Sequence, residues 1–249
     1  MNRPLIIAHR GASNDAPENT LAAVRLAWER GAPAVEIDVH LSRDGEAVVI
    51  HDASTRRVAG VDRPVAEQTL AELRALDAGR WKGERWSGER IPLLTEVLST
   101  VPAGGRLVIE VKSGPATLPG VQRALIEMRT PPGSAEIITF DIETARRARL
   151  LWPDRRVLGL AAVRKEQQSA PPDVWLTPLL STARELRLDG LDLGVFPGLD
   201  RDAVQRVKST GLLCYVWTVN DPAEARRLAA AGVDAITTDR TDVMMREVG

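Results

Sequence analysis

Along the chain, short apolar runs rich in β-branched residues alternate with longer stretches whose apolar positions recur every three or four residues. The short runs are Leu5 to Ala8, Ala34 to Leu41, Glu46 to His51, Arg106 to Lys112, Glu136 to Phe140, Arg156 to Ala161, Gly190 to Gly194, Leu212 to Thr218 and Ala235 to Thr238, and each reads as a strand. The helical stretches are Thr20 to Arg30, Glu67 to Leu76, Leu94 to Thr100, Leu118 to Met128, Ile142 to Leu151, Arg201 to Lys208 and Pro222 to Ala230. Such alternation predicts a parallel sheet. One link breaks it: Ser42-Arg43-Asp44-Gly45 alone separates the second and third runs, and Asp-Gly between strands is a hairpin signal. With the third run set aside as an antiparallel excursion at the rim, eight parallel strands remain, the number that closes a TIM barrel. The expected fold is therefore α/β, a (β/α)8 barrel in preference to an open doubly wound sheet, with residues 1–249 as one domain. Residues 53–92 have weaker periodicity and read as a small insertion at the barrel mouth, after the second strand and its hairpin. Within it, Trp81 and Trp86 either fill a satellite core or line a substrate entrance.

Composition narrows the partners. The 249 residues carry 33 Lys+Arg and 34 Asp+Glu, a formal charge of −1. No basic field exists to hold a nucleic acid, though a local site for a small anion is compatible with that balance. Cys214 is the single cysteine, so no intrachain disulfide is possible and a reducing compartment is favoured. No run approaches the roughly 18 to 20 apolar residues of a membrane span, and the first residues lack the pattern of a signal peptide. A cytoplasmic protein is expected.

The candidate chemistry lies at strand ends. His9 and His51 close their runs, where a barrel strand or rim hairpin delivers side chains to a site; histidine serves as acid or base near neutral pH. Each alone reads more readily as a structural histidine. Glu36 and Asp38, two residues apart on the second strand, share one face and lie roughly 6.6 to 6.8 Å apart along the backbone. Two carboxylates turned into a barrel repel unless a cation sits between them, and oxygen ligands favour Mg²⁺, Ca²⁺ or Mn²⁺ over zinc. A solvated acidic edge is the alternative. His40 shares their parity but sits further out in the hairpin arm, and a surface residue is expected there. Glu110 repeats the pattern on the next core strand and would complete a three-carboxylate site, with Lys112 either meeting a substrate anion or pairing with Glu110. Trp217 is a core filler or a wall for the substrate. Asn19 is expected to cap the helix that follows, with Glu18 in reach of the site.

Together these pieces resemble the glycerophosphodiester phosphodiesterase family. The likeness is carried by His9-Arg10-Gly11, Pro17-Glu18-Asn19-Thr20, Glu36-Ile37-Asp38-Val39, Asp44-Gly45, Val48-Val49-Ile50-His51-Asp52, Ile91-Pro92-Leu93, Glu110-Val111-Lys112, Trp217-Thr218-Val219-Asn220 and Gly232 to Asp239, in order across the chain. The resemblance implies a metal-dependent barrel of lipid and glycerol metabolism that hydrolyses glycerophosphodiesters to glycerol 3-phosphate and an alcohol. Glu36, Asp38 and Glu110 would ligate one divalent cation, Mg²⁺ or Ca²⁺ with Mn²⁺ as a further candidate. His9 and His51 would be the acid/base pair, and Arg10 and Lys112 would hold phosphate oxygens; Trp217 is less constrained by the motif and, beside this constellation, reads as a wall for the substrate. It also implies attack by the glycerol 2-hydroxyl to give a cyclic phosphate, although direct attack by water would use the same residues. Departures are Thr139-Phe140, where Ser-Phe is commoner, and Arg240-Thr241, where Pro usually follows Arg; neither touches a proposed ligand. Competing expectations are a lysophospholipase D or related barrel phospholipase, with Trp81, Trp86 and Trp217 over one acyl chain, and a barrel that binds a phosphate ligand without turnover.

Overall fold

The computed structural model describes residues 3–249. Nine strands form one sheet: β1 (Leu5–Ala8), β2 (Ala34–Leu41), β3 (Ala47–Val49), β4 (Arg106–Val111), β5 (Ala135–Thr139), β6 (Val157–Ala161), β7 (Gly190–Gly194), β8 (Leu213–Trp217) and β9 (Ala235–Thr238). Eight of them run parallel in the order β1, β9, β8, β7, β6, β5, β4, β2, and pairing of β1 with β2 closes the ring. This is the (β/α)8 barrel that the alternation predicts. β3 stands outside the ring, antiparallel to β2 with Val39 opposite Val49. Its turn fits Asp44-Gly45: the Asp44 carboxylate accepts from Ser42 Oγ at 2.7 Å, and Gly45 takes φ +86°.

Alternation along each strand sorts the core into two shells. Ile7, Val108, Ile138, Leu158, Leu160 and Tyr215 fill the barrel interior. Val35, Ile37, Leu107, Ile109, Ile137, Leu191, Val216 and Ile236 point outward and pack beneath the helices. Glu136 is a buried charge in the interior, joined by Arg106, Arg156 and the Tyr215 hydroxyl at 2.9 to 3.1 Å. Apolar stripes and side-chain caps define the helices. Thr20 caps Leu21–Glu29, Asp141 caps Ile142–Leu151 and Asp200 caps Arg201–Ser209, each accepting a backbone N–H of the first turn.

Besides the one-turn helix Arg56–Ala59, two helices lie beyond the predicted set, Pro172–Leu186 and Thr241–Glu247. Pro178 lies inside the longer of the two, Pro172–Leu186, and disguises its period. The bond it removes would run to Val174 in an exposed part of the first turn, while Trp175, Leu176, Ala183 and Leu186 are buried. Residues 53–92 form short helical pieces around a satellite core of Val48, Ile50, Val58, Val65, Leu73, Ala78 and Ile91. Neither Trp81 nor Trp86 belongs to it; Trp81 is exposed beneath Arg57 and Lys82. Among the described residues, no helix is long and apolar enough to cross a membrane.

Candidate active site

The barrel strands bring their carboxyl ends to one rim, where the candidate residues gather. Glu36 and Asp38 turn inward from β2 while Val35, Ile37 and Val39 pack under the helices. β4 lies beside β2 with Glu110 opposite Asp38. One carboxylate oxygen of each of these three residues lies within 4.8 Å of the others. Glu36 is 3% exposed and Asp38 1%, which decides against a solvated acidic edge.

Such burial needs compensation. The backbone N–H of Arg10 donates to Glu36 Oε2 at 2.9 Å, and the Arg10 guanidinium is 3.2 Å from Asp38 Oδ2 and 2.8 Å from Glu18. Lys112 Nζ is 2.9 Å from Glu110 and 3.5 Å from Asp38. Burial and the neighbouring carboxylates of Asp38 and Glu110 push the Glu36 carboxyl well above its ordinary value. Burial and Asp38 lift Glu110 to about 7. At Asp38 burial acts upward, but Arg10, His51 and Lys112 prevail and hold it low. Glu36 Oε1 and Asp38 Oδ1 nonetheless remain buried without a hydrogen-bonding partner. Three crowded carboxylates with orphaned oxygens make a donor set that fits one hard divalent cation.

Both strand-end histidines face this cluster from carboxylate supports. His9 Nδ1 donates to Asp239 Oδ1 at 2.7 Å, and its Nε2 is 3.9 Å from Glu36 Oε2. Asp239 is itself held by Ser13 Oγ at 3.0 Å and Asn220 Nδ2 at 2.6 Å. His51 Nδ1 donates to Asp52 at 2.6 Å. Arg57 joins Asp52, at 2.7 Å, to Glu18, at 2.8 Å, so an unbroken chain of ion pairs runs from Asp52 to Arg10. Pairing at Nδ1 leaves Nε2 of each ring for chemistry.

A cavity of about 150 Å³ brings His9, Arg10, Glu36, His51, Glu110 and Lys112 together with Ile138, Phe140, Leu160, Asp192, Trp217 and Thr218. Trp217 forms a wall, edge-on to Phe140 at 5.6 Å, with its indole N–H donating to the Asp192 carbonyl at 3.2 Å. Trp81 and Trp86 do not line it. Two expectations are corrected. His40 is buried, not on the surface: Ser113 lies against Nδ1 and the His51 carbonyl is 3.0 Å from Nε2, because the chain leaving β4 and the end of the hairpin both fold over it. Asn19 is not the helix cap, which is Thr20. Asn19 takes φ +60° and instead donates to Asp38 Oδ2 at 2.8 Å while its own oxygen accepts the Asp38 N–H.

A family model described as the Glycerophosphoryl diester phosphodiesterase family matches residues 9–243. The chain belongs to that family. A Caldanaerobacter subterraneus subsp. tengcongensis protein named glycerophosphodiester phosphodiesterase is 35% identical over 99% of this chain and 98% of its own. Its Bacillus subtilis namesake is 29% identical over 97% and 85%. Among solved structures, an Oleispira antarctica phosphodiesterase in complex with the product sn-glycerol-3-phosphate superposes with TM-score 0.86 at 30% identity, over 99% of this chain and 97% of that one. The glycerophosphodiester phosphodiesterase of Agrobacterium tumefaciens gives 0.80 at 26%, over 98% and 99%. As a member of this phosphodiesterase family the chain is a hydrolytic enzyme.

Several residues of the phosphodiesterase rim carry no role that the sequence alone assigns. Asp52 and Asp239 carry a visible signal, an acidic residue directly after a histidine or at the end of the last strand. Arg57 has none, since its contacts arise when the segment after the hairpin folds back onto Glu18. Asp192 sits in the weakly patterned run Gly190-Leu191-Asp192-Leu193-Gly194, where two glycines obscure which face is inward.

Proposed function

We propose that the enzyme hydrolyses glycerophosphodiesters to sn-glycerol 3-phosphate and an alcohol, with His9 and His51 as the acid/base pair. The observation that carries this reading is the joint geometry of two Nδ1-supported histidines and a three-carboxylate cluster around one cavity. Glu36, Asp38 and Glu110 would hold one divalent cation, Mg²⁺ or Ca²⁺ with Mn²⁺ a further candidate, and among their oxygens Glu36 Oε1 and Asp38 Oδ1 are buried with no hydrogen-bonding partner. When bound, such a cation supplies charge neutralisation at the phosphoryl oxygens. Arg10 and Lys112, whose charges are divided among carboxylates in this structure, turn toward the phosphate. One histidine takes the proton of the attacking oxygen, either the glycerol 2-hydroxyl or a water, and the other gives one to the leaving alcohol oxygen, each transfer being worth about 10² to 10⁴ in rate; where the 2-hydroxyl attacks, the cyclic phosphate it forms is then opened by water with the two histidines in exchanged roles. Asp239 and Asp52 fix both rings with Nε2 turned to substrate. Trp217 and Phe140 shield the apolar side.

Phosphorus NMR tests the proposal. Metal-stripped protein is offered glycerophosphocholine, glycerophosphoethanolamine, glycerophosphoglycerol and glycerophosphoinositol with added Mg²⁺, Ca²⁺ or Mn²⁺, beside a His9→Ala control. Appearance of glycerol 3-phosphate that needs both metal and His9 is the expected result; release without metal sinks the mechanism. A second reading, cleavage of a lysophospholipid, is favoured by an apolar cavity of about 140 Å³ that shares Phe140 and Leu160 with the first and is lined by Ala145, Leu179, Leu186 and Leu191. Lysophosphatidylcholine belongs in the same panel for that reason.

A further inference from the structure

Asp192 is a buried acidic side chain that none of the chemistry above uses. It is 1% exposed, it lines the same cavity, and its Oδ1 has no hydrogen-bonding partner. No cation compensates it: the charges that act on it are the carboxylates of Glu110 and Glu136. A polar atom left bare in a close-packed interior is costly unless a ligand completes it. Topology says where that ligand would be. In the ring of eight, β7 is the fourth strand from β2 in either direction, so Asp192 faces Glu36 and Asp38 from the far wall. A barrel of this size spans little more than a few side chains, and a small molecule held at the carboxylate cluster reaches across it.

We propose that Asp192 is a specificity-determining residue that hydrogen-bonds the terminal hydroxyl of the glycerol unit while the phosphate is held on the β2 and β4 side. This rests on the reading of the substrate as a glycerophosphodiester and extends it to the atom that separates glycerol from other alcohols. The local chemistry suits a hydroxyl. Burial, with Glu110 and Glu136 adding to it, raises the Asp192 carboxyl to about 8, so at neutral pH it presents one O–H donor and one carbonyl acceptor. A hydroxyl needs the same pair in return. A neutral acid also avoids repelling the phosphodiester anion, as a carboxylate would. Around it Leu160, Phe140 and Trp217 offer no competing side-chain acceptor, and the Trp217 N–H is already committed to the Asp192 backbone. A site of this kind discriminates strongly against an analogue that lacks the hydroxyl, because the analogue leaves the buried group bare.

The test uses two probes, sn-glycerol 3-phosphate and propane-1,2-diol 1-phosphate, which keeps the internal hydroxyl and lacks the terminal one. Dissociation constants are measured by calorimetry in the presence of Mg²⁺ on wild type, Asp192→Asn and Asp192→Leu, with thermal melts to establish folding. Wild type is expected to prefer the glycerol compound at least tenfold. Asp192→Asn, which keeps a donor and an acceptor, retains most of that preference, and Asp192→Leu reduces it to threefold or less. A merely structural Asp192 would weaken both probes alike, so an unchanged ratio in Asp192→Leu overturns the proposal, as does a wild type that binds both equally. Turnover of glycerophosphocholine by wild type, followed in parallel, judges the underlying reading separately: discrimination without turnover keeps the Asp192 assignment and removes the catalytic one.

Discussion

At the scale of single residues, the acid/base roles proposed for the two histidines rest on the aspartates behind them. Replacing His51 by Ala removes one of the two proposed proton-transfer groups and leaves the carboxylate cluster in place, so turnover is expected to fall by about 10² or more. Metal content and melting temperature should stay near wild type; near-normal turnover would take His51 out of the mechanism. Asp239 supports a pH prediction. Burial acts to raise its carboxyl, but hydrogen bonds from His9, Asn220 and Ser13 and the charge of His9 hold it at about 2. A carboxyl lowered on folding stabilises the protein fully above its unfolded value near 4, and that stabilisation disappears as pH falls through about 2. Since Asp239 is about a third exposed, the contribution is discounted to about 1 to 2 kcal/mol. Asp239→Asn should therefore be less stable than wild type at pH 7 and nearly equal to it at pH 2, as urea midpoints at the two pH values would reveal. A deficit that ignores pH would mean the charge at Asp239 is not its source. Glu36 behaves differently, because its buried charge is a liability until a cation arrives. Addition of Mg²⁺ or Ca²⁺ at about a hundred times its dissociation constant should stabilise wild type by about 2.7 kcal/mol and leave Glu36→Gln unmoved. Equal stabilisation of both proteins would remove Glu36 from the ligand set.

Elements matter here by the places where they end. Gly11, in the turn after β1, has φ +82°, and a Cβ there would lie 2.5 Å from the backbone of Ala23 in the first helix. Gly11→Ala must push that helix away or strain the turn that carries His9 and Arg10. It should cost more than about 2 kcal/mol, a fall of at least about 4 °C in melting temperature, measured by calorimetry. A melt within a degree of wild type would show that the turn yields freely. The same view of elements explains what the sequence reveals. Strands with period-two alternation, such as β2 and β4, expose both their existence and the shared face of Glu36, Asp38 and Glu110, because parity alone sets that face. The helix at Pro172–Leu186 is hidden by Pro178, whose cost is tolerated because the bond it removes belongs to an exposed first turn. His40 and Asn19 mislead for a different reason. Their burial comes from chain that returns from Ser113 and from Asp38, and local pattern carries no trace of such returns. Arg57 is of the same kind: its two acidic partners lie 5 and 39 residues away in sequence.

For the whole molecule, the formal charge of −1 conceals an uneven distribution. Around the cavity, Glu18, Glu36, Asp38 and Glu110 face Arg10, Lys112 and Arg57, so the metal-free rim offers little attraction to an anion. Affinity for sn-glycerol 3-phosphate should weaken at least tenfold when EDTA is added, by calorimetry; equal binding with and without the chelator would mean that Arg10 and Lys112 suffice to hold phosphate. The hairpin carries one last consequence. β1 and β2 close the eight-strand ring by themselves, and β3, with His51 just beyond it, hangs on the outside of that closure. Half of the proposed proton-transfer pair therefore rides on an arm that the ring does not need for its closure but that the core still holds: Ala47, Val48 and Val49 are buried, and the Ile50 N–H donates to the Asp38 carbonyl at 3.0 Å. The place of His51 is thus set by how the hairpin packs, and that of the carboxylates by the ring itself.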